Sequence, residues 1–226
     1  MTVAQTERPS SSAPPRRGVA VYSVKKRLLL AQTTAPPAEG TAVLAERLTV
    51  SIFSGATPVS ALPAEQLAAL SATVGTERLR RRLAHPHVTL VLGVDPRLKR
   101  PAGFRWALHP RDEIVWHDNV PVAPGVAHGF HAFTYPEYRR QGVYKELIRQ
   151  GNRFLFEHVG CAKVNIVVES TNQASLGANL DAGYAIEATN YLVKVLGRNV
   201  LSMFRDHASG AVRAHWVYRR GSRSGL

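Results

Sequence analysis

Apolar side chains along this chain recur at two spacings, and the change between them divides the sequence into elements. From His87 onward, short runs of β-branched and aromatic residues are bounded by Gly, Pro or Asp: Val88–Val94, Phe104–Leu108, Ile114–His117 and Val126–Thr134. Such runs predict a meander of short strands. At Gly142 the period lengthens. Val143, Leu147, Ile148, Phe154, Leu155 and Val159 recur at helical spacing, with Lys145, Glu146, Arg149, Arg153 and Glu157 between them, which predicts an amphipathic helix over residues 142–159. Lys163–Glu169 then reads as a buried strand. Gln173–Ala182 reads as a helix opened by Asn172, and Ala185–Leu196 as a strand turning at Gly197-Arg198-Asn199; Val212–Arg219 is expected to close the sheet edge. Upstream, two strands are expected within Val19–Ala31 and Ala45–Phe53. A helix should follow Pro63, placed where a first-turn proline is tolerated, and another should run from Thr76 to Leu83, ended by His85-Pro86.

The first 18 residues, rich in Ser, Thr and Pro, lack the apolar surface to offset ordering and are expected to form a flexible tail; residues 19–226 are expected to form a single domain. No apolar run approaches the roughly 20 residues that a membrane span needs, and the N-terminus lacks the basic-then-apolar order of a signal peptide, so the cytoplasm is the expected compartment. The lone Cys161 excludes an intramolecular disulfide framework, and no Cys/His spacing resembles a structural zinc site, so no metal ligands are expected. The formal net charge of +13 favours anionic partners without choosing among them. Its basic residues lie scattered in small clusters. Nothing reads as a zinc finger or an aromatic-rich RNA-binding strand, so nucleic acid remains a partner that the charge allows but the pattern does not favour.

The chemistry concentrates where a strand passes through a tight basic turn into the long helix, at Phe133-Thr134-Tyr135-Pro136-Glu137-Tyr138-Arg139-Arg140-Gln141-Gly142-Val143-Tyr144. A turn of this kind points backbone N–H groups outward. Together with the positive end of the helix dipole and the neighbouring arginines, those donors suit a diphosphate, and Gly142 lets phosphates approach the backbone. Arg139, Gly142 and Tyr144 fall at the places of the pattern Arg/Gln-x-x-Gly-x-Gly/Ala, which resembles the coenzyme-A loop of the GNAT superfamily. The resemblance continues through Val168-Glu169-Ser170-Thr171-Asn172-Gln173-Ala174-Ser175 to Ala182-Gly183-Tyr184, so it covers about residues 127–184. It implies an α/β (α+β) fold: a mixed, largely antiparallel central sheet flanked by helices, whose splayed fourth and fifth strands hold CoA. It also implies transfer of an acyl group from acetyl-CoA or another acyl-CoA to an amine by direct attack in a ternary complex. The acceptor, a small molecule or a protein, is left open, as is a homodimer.

Carried over by position, the resemblance assigns the backbone of Ala132, Phe133 and Thr134 to the pantetheine arm. It assigns Arg139, Arg140, Gln141, Gly142, Val143, Tyr144 and Lys145 to the pyrophosphate, and Asn172 to the thiol end, where a helix N-cap is the competing role. Amide formation from a thioester needs an uncharged amine, stabilisation of an oxyanion and a proton for the departing thiolate. His128 lies about where many relatives carry a base. Six residues before Thr134, it shares a face with that residue under strict alternation unless a bulge intervenes; the competing role is that of a packed, hydrogen-bonded histidine. His131 points the other way under the same rule; Glu169 and His131 are the next candidates, and His117-Asp118 and Glu169 are weaker candidates for lining the acceptor cleft. Asn179 stands where the family usually has an acidic tyrosine, so the reaction is expected to proceed without a dedicated acid unless Tyr184 or Tyr191 replaces it. Two other readings stay open: a basic protein associated with nucleic acid or ribosomes, and a CoA-binding fold without catalysis.

Overall fold

The computed structural model describes residues 22–37, 47–196 and 198–217, so the expected N-terminal tail lies outside the described residues. Among the described residues, nine strands make one sheet: β1 (Tyr22–Gln32), β2 (Thr49–Ser54), β3 (Val88–Val94), β4 (Pro101–Leu108), β7 (Val126–Thr134), β8 (Lys163–Glu169), β9 (Ala185–Val195), β10 (Arg198–Asp206) and β11 (Val212–Trp216). Their spatial order is β11-β10-β9-β1-β8-β7-β4-β3-β2. Every neighbouring pair is antiparallel except β7 and β8. A separate hairpin of β5 (Val115–His117) and β6 (Val120–Val122) stands apart. The sequence pattern missed β6 and β10. The first is too short and proline-interrupted to show alternation, and the second mixes polar with apolar positions on a half-exposed strand.

Helices cover both faces. Helix α1 (Ala64–Val74) and helix α2 (Thr76–Ala84) meet at Gly75, whose φ of 91° ends one helix and starts the next. Their Leu70, Val74, Leu79 and Leu83 pack on Leu90, Leu92, Phe104, Trp106 and Phe130 of the sheet. Because β3 and β4 are buried along their whole length, they read as near-continuous apolar runs. Helix α3 (Val143–Phe154) and helix α4 (Gln173–Asp181) cover the opposite face, where Ile148 and Leu155 pack with Val164, Ile166, Val168 and Tyr184. The predicted long helix is regular only to Phe154; Leu155–Val159 continues as a π-helical turn capped by Gly160 at φ 79°.

Two irregularities shape the centre of the sheet. The parallel ladder of β7 and β8 runs from Val126 opposite Lys163 to Gly129 opposite Ile166 and stops there, although both strands continue. Past that point β7 has no strand on this side, and its backbone donors and acceptors face an opening. The second irregularity is a bulge. On β4, Phe104 faces Phe133 and Trp106 faces Phe130, so His131 and Ala132 together oppose Arg105, with His131 at φ 42°.

Candidate active site

The opening beyond Gly129 leads into a cleft of about 640 Å³. Ala132, Phe133 and Thr134 form one wall, Arg139, Arg140, Gly142, Val143, Tyr144 and Lys145 the floor, and Asn172, Ala174, Ser175 and Ala178 the other wall. Of the residues that the sequence assigns to a cofactor, Gln141 alone is not on this lining. It faces the adjoining cavity with Arg47, Asp95 and Arg97, and its amide donates to Glu137 O. In an alternating turn its side chain falls outside while the neighbouring residues remain on the cleft.

The floor is a helix N-terminus without a side-chain cap. Arg140 has φ 59° and Gly142 has φ 79° with ψ −1°, and α3 begins at the next residue. The first intrahelical bond is donated by Glu146 N to Gly142 O at 3.1 Å. The N–H groups of Val143, Tyr144 and Lys145 precede that bond, so they have no place in the helix ladder and point along the positive end of the dipole. Arg139 lies over the Phe133 ring at 6.0 Å and donates from Nε to Thr134 O, while Lys145 pairs with Asp181 at 2.5 Å. Positive charge and unused donors thus converge on one floor, the arrangement that binds a diphosphate. Asn172 caps α4, its Oδ1 accepting from Ser175 N at 3.1 Å, and also lines the cleft.

The bulge overturns one expectation about the candidate bases. His128, Phe130 and Phe133 oppose Leu108, Trp106 and Phe104, alternate residues of β4, and therefore share the face covered by α1 and α2. Thr134 opposes Gly103 and lies on the other face. His128 and Thr134 are therefore on opposite faces, because the extra residue shifts the alternation by one. His131 is corrected in the same way. Its ring meets Phe104 edge-on at 5.5 Å, on the face of His128 rather than the opposite one.

On that face the candidates differ. His128 is fully buried, and its Nδ1 lies 2.6 Å from Asn165 Oδ1. An amide oxygen only accepts, so Nδ1 carries the proton and Nε2 keeps a lone pair. That Nε2 is buried without a hydrogen-bond partner. His131 accepts at Nδ1 from Arg82 Nη1 at 2.6 Å, and burial, then Arg82 and Arg78, hold its pKa below the ordinary value. With that lone pair committed to a guanidinium, His131 is a poor proton acceptor. Glu169 is exposed and bonded to Lys25 Nζ at 2.5 Å, a contact that holds it below the usual carboxylate range. It too is a weak base.

Asp118, which the sequence offers with His117 only as a weaker candidate for lining the acceptor cleft, stands beside His128. Asp118 and Asn119, at φ 50° and 62°, form the two-residue turn between β5 and β6, and Arg27 Nη2 donates to Asp118 O at 2.9 Å. Asp118 Oδ2 comes within 3.5 Å of His117 Nδ1 and 3.8 Å of His128 Nε2. Burial raises this carboxyl, but the two imidazoles outweigh it and hold Asp118 well below the ordinary range. The sequence contained a signal, a two-residue turn of residues that tolerate left-handed φ, but not the strand on which the turn would land.

The sequence also missed a contact between Asn179 and Tyr144. Asn179 is buried, with its Nδ2 donating to Ser175 O at 2.7 Å and to Tyr144 Oη at 3.2 Å. Tyr144 lines the cleft. Tyr184, by contrast, is a core residue whose hydroxyl accepts from Asn152 Nδ2 at 2.8 Å.

The acetyltransferase (GNAT) family model matches residues 62–180, over half of the chain. The chain belongs to that family. The match takes in α1 and α2 as well as the cleft, whereas β1 and β9 to β11 lie outside it. No curated protein matches. Similar solved structures include a GCN5-related N-acetyltransferase from Kribbella flavida, 16% identical, with a TM-score of 0.49 over 76% of this chain and 58% of that one. A GCN5-related N-acetyltransferase from Sphaerobacter thermophilus is 16% identical, with a TM-score of 0.48 over 77% and 53%. The aminoglycoside N-acetyltransferase AAC(6')-Iy in complex with CoA is 18% identical, with a TM-score of 0.44 over 61% and 91%. The chain spans just over half the length of the first two. Among the described residues, no helix is long and apolar enough to cross a membrane.

Proposed function

We propose that this GNAT family member transfers an acyl group, acetyl in the first instance, from acyl-CoA to an amine. The observation that carries the reading is the cleft floor, where backbone donors at residues 143–145, the left-handed Gly142 and three cationic side chains face one space. The diphosphate of CoA rests on that floor. Its pantetheine arm runs along Ala132 to Thr134, where β7 has lost its strand partner and offers backbone groups to the amide-rich chain. Asn172 stands toward the thioester end.

The amine approaches from the face of β7 that carries His128. His128 Nε2, which bears the lone pair in the tautomer that donates from Nδ1 to Asn165, accepts the amine proton directly or through a water. Attack of the nitrogen on the thioester carbon gives a tetrahedral intermediate, and its collapse breaks the carbon–sulfur bond and releases CoA thiolate. Tyr144, whose oxygen already accepts from Asn179, donates its proton to that sulfur. Holding the amine and thioester together supplies much of the rate.

The test is release of free thiol from acetyl-CoA in the presence of a panel of primary amines and lysine peptides, with mass spectrometry of the products. Amine-dependent thiol release with a matching acetylated product is expected, and a His128→Asn variant should lose it mostly in kcat while still binding acetyl-CoA. Saturable CoA binding without turnover on any amine would leave a CoA sensor. Absence of CoA binding would remove the reading altogether.

A further inference from the structure

The cluster of His117, Asp118 and His128 is unusual for what it lacks. Its ligand-type atoms, His117 Nδ1, Asp118 Oδ2 and His128 Nε2, all lie within 4.8 Å of one another, and among the described residues no other group of this kind exists. His128 is fully buried and His117 is 7% exposed, yet His117 Nδ1 and His128 Nε2 are without a hydrogen-bond partner. At 3.5 and 3.8 Å neither nitrogen is in hydrogen-bond contact with the carboxylate. Buried polar atoms are rarely left this way. In the tautomer that donates Nδ1–H to Asn165, His128 Nε2 bears the lone pair, and it faces the Asp118 carboxyl across 3.8 Å. Three ligand-type atoms thus converge while neither imidazole nitrogen has a hydrogen-bond partner.

We infer that this cluster binds a divalent transition-metal ion of the zinc class, with His117 Nδ1, His128 Nε2 and Asp118 Oδ2 as ligands. Two imidazoles and one carboxylate form a recurrent donor set for such ions, and three protein ligands leave a fourth position open. Ligands of a tetrahedral zinc stand about 3.3 Å apart, given bond lengths near 2.0–2.1 Å. The two carboxylate-to-imidazole separations already approach that spacing. The third, between the two imidazole nitrogens, lies within 4.8 Å and closes by a turn of the His117 ring.

The surroundings have the form of an outer shell. Asn165 Oδ1 fixes the His128 tautomer, as ligating histidines require. Arg27 anchors Asp118 through its carbonyl, and Arg27 is itself held by Asn190 Oδ1 at 2.9 Å. The left-handed turn at Asp118-Asn119 aims the carboxylate back at β7. Arg27 also sets the selectivity. Its positive charge opposes any cation beside a single carboxylate, so affinity must come from the nitrogen donors, which favours zinc or cobalt over magnesium or calcium. The candidates His117-Asp118 and His128 could not be joined into one metal site from their spacing, because they come from a hairpin turn and a separate strand and not from a Cys/His repeat.

The inference does not rest on acyl transfer, but the two share His128. A metal on Nε2 removes the lone pair assigned to the amine proton, so the metal-loaded protein should be inactive and the acceptor amine should compete with the ion. Cobalt(II) titration of the metal-free full chain tests binding directly, with visible absorption and calorimetry as readouts and CoA affinity measured separately. Expected are a 1:1 stoichiometry, the absorption bands of a four-coordinate cobalt centre, and displacement by zinc. Affinity should fall tenfold or more in Asp118→Asn and in Asn165→Ala, while CoA affinity stays unchanged. Asp118 is half-exposed, so its variant should fold even if a His128→Gln variant does not. His85→Gln, in a second histidine group on the loop before β3, should leave cobalt binding intact. Absence of 1:1 binding, or equal affinity in Asp118→Asn and the parent, overturns the inference. Neither outcome touches the CoA reading.

Discussion

Replacement of Gly142 separates the cost of folding from the cost of binding. Its φ of 79° and ψ of −1° lie in the left-handed region, where any other L-residue is strained by roughly 1–2 kcal/mol. For a chain of this size each kcal/mol corresponds to about 2–4 °C in Tm, so Gly142→Ala should melt roughly 2–8 °C lower than the parent and remain folded at 25 °C. Binding should suffer more from a larger side chain. A Trp at 142 stands over the donors of residues 143–145, and each charge-assisted hydrogen bond to a phosphate contributes about 1.5–3 kcal/mol. Losing two corresponds to about 3–6 kcal/mol, or on the order of 10² to 10⁴ in Kd. The assay is calorimetric titration with CoA, paired with titration by pantetheine, which has the arm but no diphosphate. CoA should weaken by the stated amount in Gly142→Trp and pantetheine by little. A folded Gly142→Trp variant with parental CoA affinity would refute the placement of the diphosphate.

Three shorter predictions follow from buried groups. Burial, then the charge of His87, lowers the His109 pKa to about 4 from 6.5, so the unfolded chain binds a proton there that the folded chain refuses between those values. Stability present above pH 6.5 is thus lost as pH falls toward 4, by about 3 kcal/mol, and a His109→Gln variant should show a correspondingly flatter acid limb in thermal melts; an unchanged limb would assign the loss elsewhere. Asn165→Ala removes the acceptor that fixes the His128 tautomer and should cut kcat tenfold or more with KM for acyl-CoA unchanged, whereas Asn165→Asp should restore part of it. Burial pushes the Cys161 thiol up to about 11, so a thiol reagent at pH 8 should label the native protein far more slowly than the unfolded one.

What the sequence made legible follows the range of the interactions involved. Val88–Val94, Val126–Thr134 and Lys163–Glu169 have the same bounds in structure and pattern, because short β-branched and aromatic runs between flanking turns are written locally. The cleft floor was legible for a related reason: a left-handed glycine, a basic turn and a helix start all lie within seven residues of chain. The opposite face was not. Its geometry depends on one extra residue in β7, and a bulge leaves no mark in alternation until the partner strand is known. From that single residue come the corrected orientations of His128, Thr134 and His131. The approach of Asp118 to His128 was hidden because a hairpin turn reveals its own conformation and not the distant strand against which it packs.

The departing thiolate poses the last question, and two departures from the family pattern answer it together. At the position where the family usually carries a tyrosine this chain has Asn179, an amide that gives up no proton at neutral pH. At the position where the coenzyme loop usually carries a small residue it has Tyr144. The structure joins the two exceptions, since Asn179 Nδ2 donates to Tyr144 Oη at 3.2 Å and Tyr144 lines the cleft. A hydroxyl that accepts from an amide is left with its own O–H to donate, and an amide donor stabilises the phenolate that remains. The hydroxyl has moved from one wall of the cleft to its floor. Tyr144→Phe should therefore lower kcat a hundredfold or more with CoA affinity kept, because only the backbone N–H of residue 144 meets the phosphates. Tyr184→Phe should cost about 1 kcal/mol of stability, through the loss of its bond from Asn152, and leave the rate alone. The double change Tyr144→Ala with Asn179→Tyr, which returns the hydroxyl to the usual wall, should recover part of the lost rate. Parental turnover in Tyr144→Phe would exclude the tyrosine and leave a thiol of unperturbed pKa near 8.5 to depart into solvent unaided.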